Sequence, residues 1–148
     1  MSYANDMPAQ ASASLAADLR VALMRSVRRI RAERSNEDIT DGQYSVLARL
    51  DCDGPQTPRY LADHDHVQPP TMTRIVNCLD DRGLVTRSPH PEDGRQVLVE
   101  ITMQGRAEIG ETRRRRNAWL AQQLTDLTPQ ERDVLARASE ILRRVVAR

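Results

Sequence analysis

The chain has no lysine and no phenylalanine. All 22 of its basic residues are therefore arginine, a bias that genome composition can produce by itself. Aromatics are sparse, one Trp and three Tyr, but the 39% apolar content is enough for a core. No run approaches the roughly 18 apolar residues of a membrane span, so a membrane partner is not expected. Residues 1 to 14 lack a basic start and an apolar centre, which excludes a signal peptide and reads as a disordered tail. Two cysteines, Cys52 and Cys78, are too few for a disulfide framework and fit a reducing cytoplasm. The formal net charge is only +1, so bulk charge does not announce a nucleic-acid binder. No nucleophile–base pair, phosphate-cradling glycine loop or close-set carboxylate pair is evident, so neither an enzyme nor a cofactor is expected. Internal repeats and low-complexity tracts are absent too.

What is present centres on Val67 to Thr102. Pro69 and Pro70 fit only a first helical turn, with Gln68 near the N-cap. Met72, Ile75, Val76 and Leu79 follow at helical spacing and share one face. Pro70, Thr73, Arg74 and Asn77 then project on the opposite side. That short polar face suits base edges: Arg for guanine, Asn for adenine, Thr and Pro for thymine methyls. Gly83 stops the helix. A strand over Leu84–Arg87, a turn-rich tip over Ser88–Arg95 and a strand over Gln96–Ile101 complete a β-hairpin wing. Arg95 and His90 are the basic side chains near the tip, and Asp93 is close enough to orient Arg95.

The flanks read as helices. Leu15, Leu19, Leu23, Val27 and Ile30 stripe a helix over Leu15–Arg34, which holds six Arg against two acids. Thr40 with Gln43 forms a capping box for a second helix. Thr57-Pro58 opens a third, with Tyr60, Leu61 and Ala62 as its buried candidates. Residues 36 to 66 carry seven acids and two Arg. This acidic block is expected to face basic helices rather than DNA. Thr102 caps a fifth helix, which contains Arg113 to Arg116, and Thr128-Pro129-Gln130-Glu131 is a strong start for a sixth. The first and sixth helices present apolar stripes that the small winged core is too small to cover, so a second copy is the expected cover. A two-fold dimer fits a palindromic site with half-sites one turn apart.

Leu61-Ala62, Pro70 through Val76, Leu79, Gly83-Leu84-Val85 with Arg87, Asp93 with Arg95, and Ile101-Thr102 followed by Gly105 occur in a specific order and spacing. On these residues the stretch from about Gln43 to Gly105 closely resembles the multiple-antibiotic-resistance regulator (MarR) family of winged helix-turn-helix repressors. The resemblance implies a mainly α (α+β) fold: a winged helix-turn-helix core over about 40–102, with N- and C-terminal dimerisation helices over about 15–34 and 103–147. Together these make a single domain over 15–148. It further implies a cytoplasmic homodimer that binds double-stranded palindromic operator DNA and represses transcription until a small phenolic or anionic ligand alters the dimer. By carry-over, the recognition helix spans Gln68 to Arg82, with Pro70, Thr71, Thr73 and Arg74 as groove or phosphate contacts; Gln68 at its start and Asn77 on the outward face are expected to contact DNA with them. Arg95 enters the minor groove, positioned by Asp93. A ligand cleft would involve Tyr44, Leu47 and Met72. Two departures matter. Gly94 stands where a basic residue is common, leaving one wing Arg, and Asp80-Asp81 makes the reading lobe locally acidic. A modest salt dependence is expected.

Three other features have a bland reading that outweighs a functional one. Asp63-His64-Asp65-His66 has metal-ligand residue types but reads as a polar helix end. Cys52 and Cys78 read as packing residues rather than redox thiolates. Arg113 to Arg116 read as a solvated face or as partners of the acidic block. Two alternative functions stay open: a protein-interaction module, from the near-neutral reading lobe, and a thiol-based oxidant-sensing regulator, from the two cysteines.

Overall fold

The computed structural model describes residues 7–33 and 39–147. Its elements are α1 (Met7–Arg31), α2 (Asp41–Asp53), α3 (Pro58–Asp65), α4 (Pro69–Asp81), β1 (Val85–Pro89), β2 (Val97–Ile101), α5 (Met103–Thr125) and α6 (Pro129–Val146). The fold is mainly helical with one two-stranded antiparallel sheet, Val85 opposite Ile101 and Pro89 opposite Val97. Two compact units are present. Residues up to Glu33 and from Arg116 onward form one, and the stretch ending at Arg115 forms the other.

The middle unit holds the core. Val46, Leu47 and Leu50 of α2, Leu61 and Ala62 of α3, and Met72, Val76 and Leu79 of α4 are buried with Leu84, Val85, Val99, Ile101 and Ile109. Both halves of the α2 capping box form: Gln43 N–H donates to Thr40 Oγ1 at 3.2 Å, and Thr40 N–H to Gln43 Oε1 at 2.9 Å. At the end of α4, Gly83 takes φ +70°, and Leu84 N–H reaches Leu79 O at 2.9 Å. This left-handed turn directs the chain into β1.

Several expectations are corrected. The first helix begins at Met7, not Leu15, so part of the expected tail is helical. Ala9, Ala11, Ala13, Ala16 and Ala17 favour helix even where no apolar stripe marks it. Residues 1 to 6 of that tail, and Arg34 with Glu37 and Asp38 of the acidic block, lie outside the described residues. Tyr60 is 40% exposed rather than buried, because its hydroxyl donates to Asp53 Oδ2 at 3.0 Å. The first half of the fifth helix belongs to the core rather than to a flanking arm. Gly105, Ile109 and Thr112 in its first half are buried in the middle unit. Finally, Gln56 pairs with Val99 on the wing through both backbone bonds, 3.0 and 2.9 Å. A single residue between Pro55 and Thr57-Pro58 carries no periodic signal that could have revealed it.

Candidate nucleic-acid interface

The outward face of α4 is as the helical spacing requires: Pro70, Thr73, Arg74 and Asn77 are exposed, and Thr71 is half-buried. Gln68 is the exposed N-cap but makes no side-chain cap bond. Thr73 Oγ1 donates back to Pro69 O at 3.0 Å, so its hydroxyl proton is engaged by the helix itself. Asn77 is less available than expected. Its Oδ1 accepts from Arg87 of β1, and the Arg87 Nε also pairs with Asp80 at 3.1 Å. Arg87 thus ties the end of the outward face of α4 to the wing, a role that a lone Arg in a short strand does not advertise.

The wing tip is organised by Asp93 through the backbone. Its Oδ1 accepts the Arg95 N–H at 3.1 Å, its Oδ2 accepts Gln96 Nε2 at 3.3 Å and its carbonyl accepts the Gln96 N–H at 2.9 Å. Asp93 therefore fixes where the Arg95 side chain starts, not where its guanidinium points. His90 is half-buried and braces the turn, its Nδ1 accepting the Glu92 N–H at 3.2 Å.

Charge pairing then separates the cations. Arg49 pairs with Asp53 at 3.0 Å, Arg82 with Glu108 at 3.5 Å and Arg87 with Asp80; Arg106 and Arg113 share Asp51, and Arg114 and Arg115 share Glu111. Of the described arginines between Ile39 and Arg115, only Arg59, Arg74 and Arg95 make no side-chain hydrogen bond or ion pair. Arg74 lies on α4, Arg95 at the wing tip and Arg59 on the first turn of α3. From Arg34 to Arg115 the sequence holds 11 Arg against 14 acids, so this unit is net negative, and its arginines without a bonding partner lie on α3, on α4 and at the wing tip.

Residues 39–97 match the MarR family. A helix-turn-helix-type transcriptional regulator of Mycobacterium tuberculosis is 42% identical over 130 residues, covering 88% of this chain and 91% of that one. The chain belongs to the MarR family. The multiple antibiotic resistance protein MarR of Salmonella typhimurium is 37% identical over 95 residues, 64% of this chain and 66% of its own. The crystal structure of wild-type MarR from Escherichia coli superposes with a TM-score of 0.73 at 29% identity, covering 88% of this chain and 96% of that one. This MarR-family chain is accordingly a DNA-binding transcriptional regulator with a winged helix-turn-helix.

The candidate ligand residues fare unevenly. Leu47 and Met72 are 0% exposed; the same spacing that gives α2 and α4 their packed faces leaves these two no surface for a ligand. Tyr44 is half-buried, and its hydroxyl accepts from Arg113 Nε at 3.3 Å. That bond, and after it the Asp51 contact, holds the Arg113 guanidinium above its ordinary pKa. Both cysteines are exposed, so packing does not account for them. His64 faces Arg49 through Nε2 and Asp65 through Nδ1 at 3.0 Å, while His66 adopts the left-handed cap of α3. Among the described residues no group of three His, Cys, Asp or Glu converges to hold a metal.

Proposed function

We propose that this chain acts as a homodimeric repressor that reads a palindromic operator with α4 and the wing, and that a small phenolic or anionic ligand releases it. The reading rests on one observation above all: Arg74 and Arg95 are unpaired while seven other Arg of the same unit are bound to carboxylates. Arg74 takes a guanine edge, with Thr73 and Pro70 against thymine methyls. Gln68 and Thr71 hold nearby phosphates, and Asn77 keeps its amide N–H₂ for an acceptor. Arg95, on a tip fixed by Asp93, enters the minor groove.

A second observation supports the dimer. Leu15, Leu19, Leu23 and Val27 of α1 are 39–65% exposed, and Val134, Leu135, Ile141 and Val145 of α6 are 45–64% exposed. Stripes this long are typical of faces that another chain covers. Sedimentation should give twice the chain mass of 16.8 kDa. For release, an aromatic acid would exchange its carboxylate for Asp51 on Arg113 beside the Tyr44 hydroxyl, and weakened operator binding in the presence of such acids would support that site.

Selection of duplexes from a random pool should return an inverted repeat. Arg74→Ala should weaken binding to it by about 1–3 kcal/mol. Arg95→Ala should weaken binding with less loss of sequence preference. Unchanged affinity in Arg74→Ala would remove the reading of α4, and collapse of discrimination in Arg95→Ala would remove that of the wing.

A further inference from the structure

Among the described arginines between Ile39 and Arg115, Arg59 is the one without a bonding partner that the reading above leaves unused. It lines an open groove of about 470 Å³ with Pro58, Ala62 and Asp63 of α3 and with Pro69 and Thr73 of α4. The groove therefore runs along the edge of the reading helix, next to Thr73, and its α4 wall has an unusual chemistry. Helix starts commonly bind phosphate through unpaired backbone N–H groups. Here the first two positions of α4 are Pro69 and Pro70, which carry no N–H, and the third, Thr71, donates its N–H to Gln68 O at 2.9 Å. The start of α4 thus lacks the donors that would ordinarily meet the DNA backbone at this edge.

We propose that Arg59 supplies that contact: its guanidinium reaches across the α3–α4 groove to a phosphate of duplex DNA when α4 occupies the major groove. This rests on the reading of α4 given above. Asp63 is a neighbouring carboxylate on the same groove, one helical turn from Arg59, and it makes no bond to Arg59 in this structure. Its presence limits the site to a phosphate held by the projecting guanidinium rather than one sunk between the helices. The contact carries no base information, so it adds affinity and register without specificity. Arginine suits it, because the guanidinium can grip two phosphate oxygens at once.

The test measures binding of the full-length protein to its selected duplex and to a random duplex over a range of salt. Arg59→Ala should weaken both by the same factor, about three- to tenfold near 0.1 M salt. It should also lower the slope of log K against log salt by about one for each bound copy. Arg59→Lys should restore most of the slope. An unchanged slope in Arg59→Ala overturns the proposal while leaving the α4 reading intact. Loss confined to the selected duplex also overturns it, because that marks a base contact. If Arg59→Ala gives the expected loss but Arg74→Ala keeps full sequence preference, the α4 reading fails and the phosphate contact stands. If the wild-type protein binds neither duplex, both fail together.

Discussion

Gly105→Ala should destabilise this protein although it places a better helix former inside a helix. A Cβ at this position of α5 would overlap the carbonyl oxygen of Leu84, and would lie 2.8 Å from Ile101 Cγ1 and 3.2 Å from the Leu84 carbonyl carbon. The obstruction is backbone, and it is tied down. Thr102 N–H donates to Leu84 O at 3.0 Å, Thr102 Oγ1 donates to Gly83 O at 2.7 Å, and Gly105 N–H donates to Thr102 Oγ1 at 3.0 Å. Relieving the overlap shifts α5 or the start of β1, an overpacking change that costs about 1–3 kcal/mol. Alanine's helix preference returns up to ~1 kcal/mol. The net loss is on the order of 1–2 kcal/mol, or a fall of roughly 3–8 °C in melting temperature for a chain of this size. Gly110→Ala is the control: it lies in the same helix with nothing within 4 Å of its Cβ position, so it should be neutral or stabilising by up to ~1 kcal/mol. Thermal and denaturant unfolding at one fixed protomer concentration would compare the two. If both variants shift in the same direction, the close approach of α5 to Leu84 is not what fixes glycine at this position.

Thr128→Ala should cost about 0.5–2 kcal/mol, since Thr128 exchanges both capping-box bonds with Glu131 at 3.2 and 2.8 Å; helix content lost near α6 on hydrogen exchange would check it. The α2–α3 link should be insensitive to pH over a wide range. Arg49, and then Tyr60, hold the Asp53 carboxyl below its ordinary pKa, and Asp53 holds the Tyr60 hydroxyl above its own. A lowered carboxyl stabilises above its unfolded pKa and loses this as pH falls through the folded one; a raised hydroxyl stabilises below about 10 and loses this above it. Denaturant midpoints of wild type and Asp53→Asn should therefore differ by a constant amount between about pH 5 and 9, and a difference that changes across this window contradicts the assignment. Cys52→Ser with Cys78→Ser should change stability by less than about 0.5 kcal/mol, because both side chains are exposed. If peroxide releases wild-type DNA complexes but not those of this variant, the protein is a thiol sensor.

The sequence made the reading helix legible because its constraints are local. Two prolines, four apolar residues at helical spacing and a glycine stop define α4 without reference to the rest of the fold. The cap at Thr40 was equally clear, since a capping box is closed within four residues. What the sequence did not reveal depends on pairs far apart in the chain. Asp51 meets Arg106 and Arg113 across 55 and 62 positions, Gln56 meets Val99, and Arg87 reaches Asn77 from a different element. Which Arg are unpaired follows only from those partners. Tyr60 shows the converse error: apolar periodicity assigned it to the core, while its hydroxyl found a carboxylate at the surface. The α1 start was missed because alanine favours helix without leaving a stripe.

Seven Arg–carboxylate bonds in the reading unit also bear on how fast the protein finds its operator. Affinity for arbitrary DNA grows with the number of cations able to displace counterions, and each phosphate met makes log K fall by about 0.9 more per decade of salt. A surface with most guanidiniums already occupied lingers only briefly on the long excess of wrong sequence. Its dwell time away from the operator is short, and fewer copies are sequestered on the bulk genome.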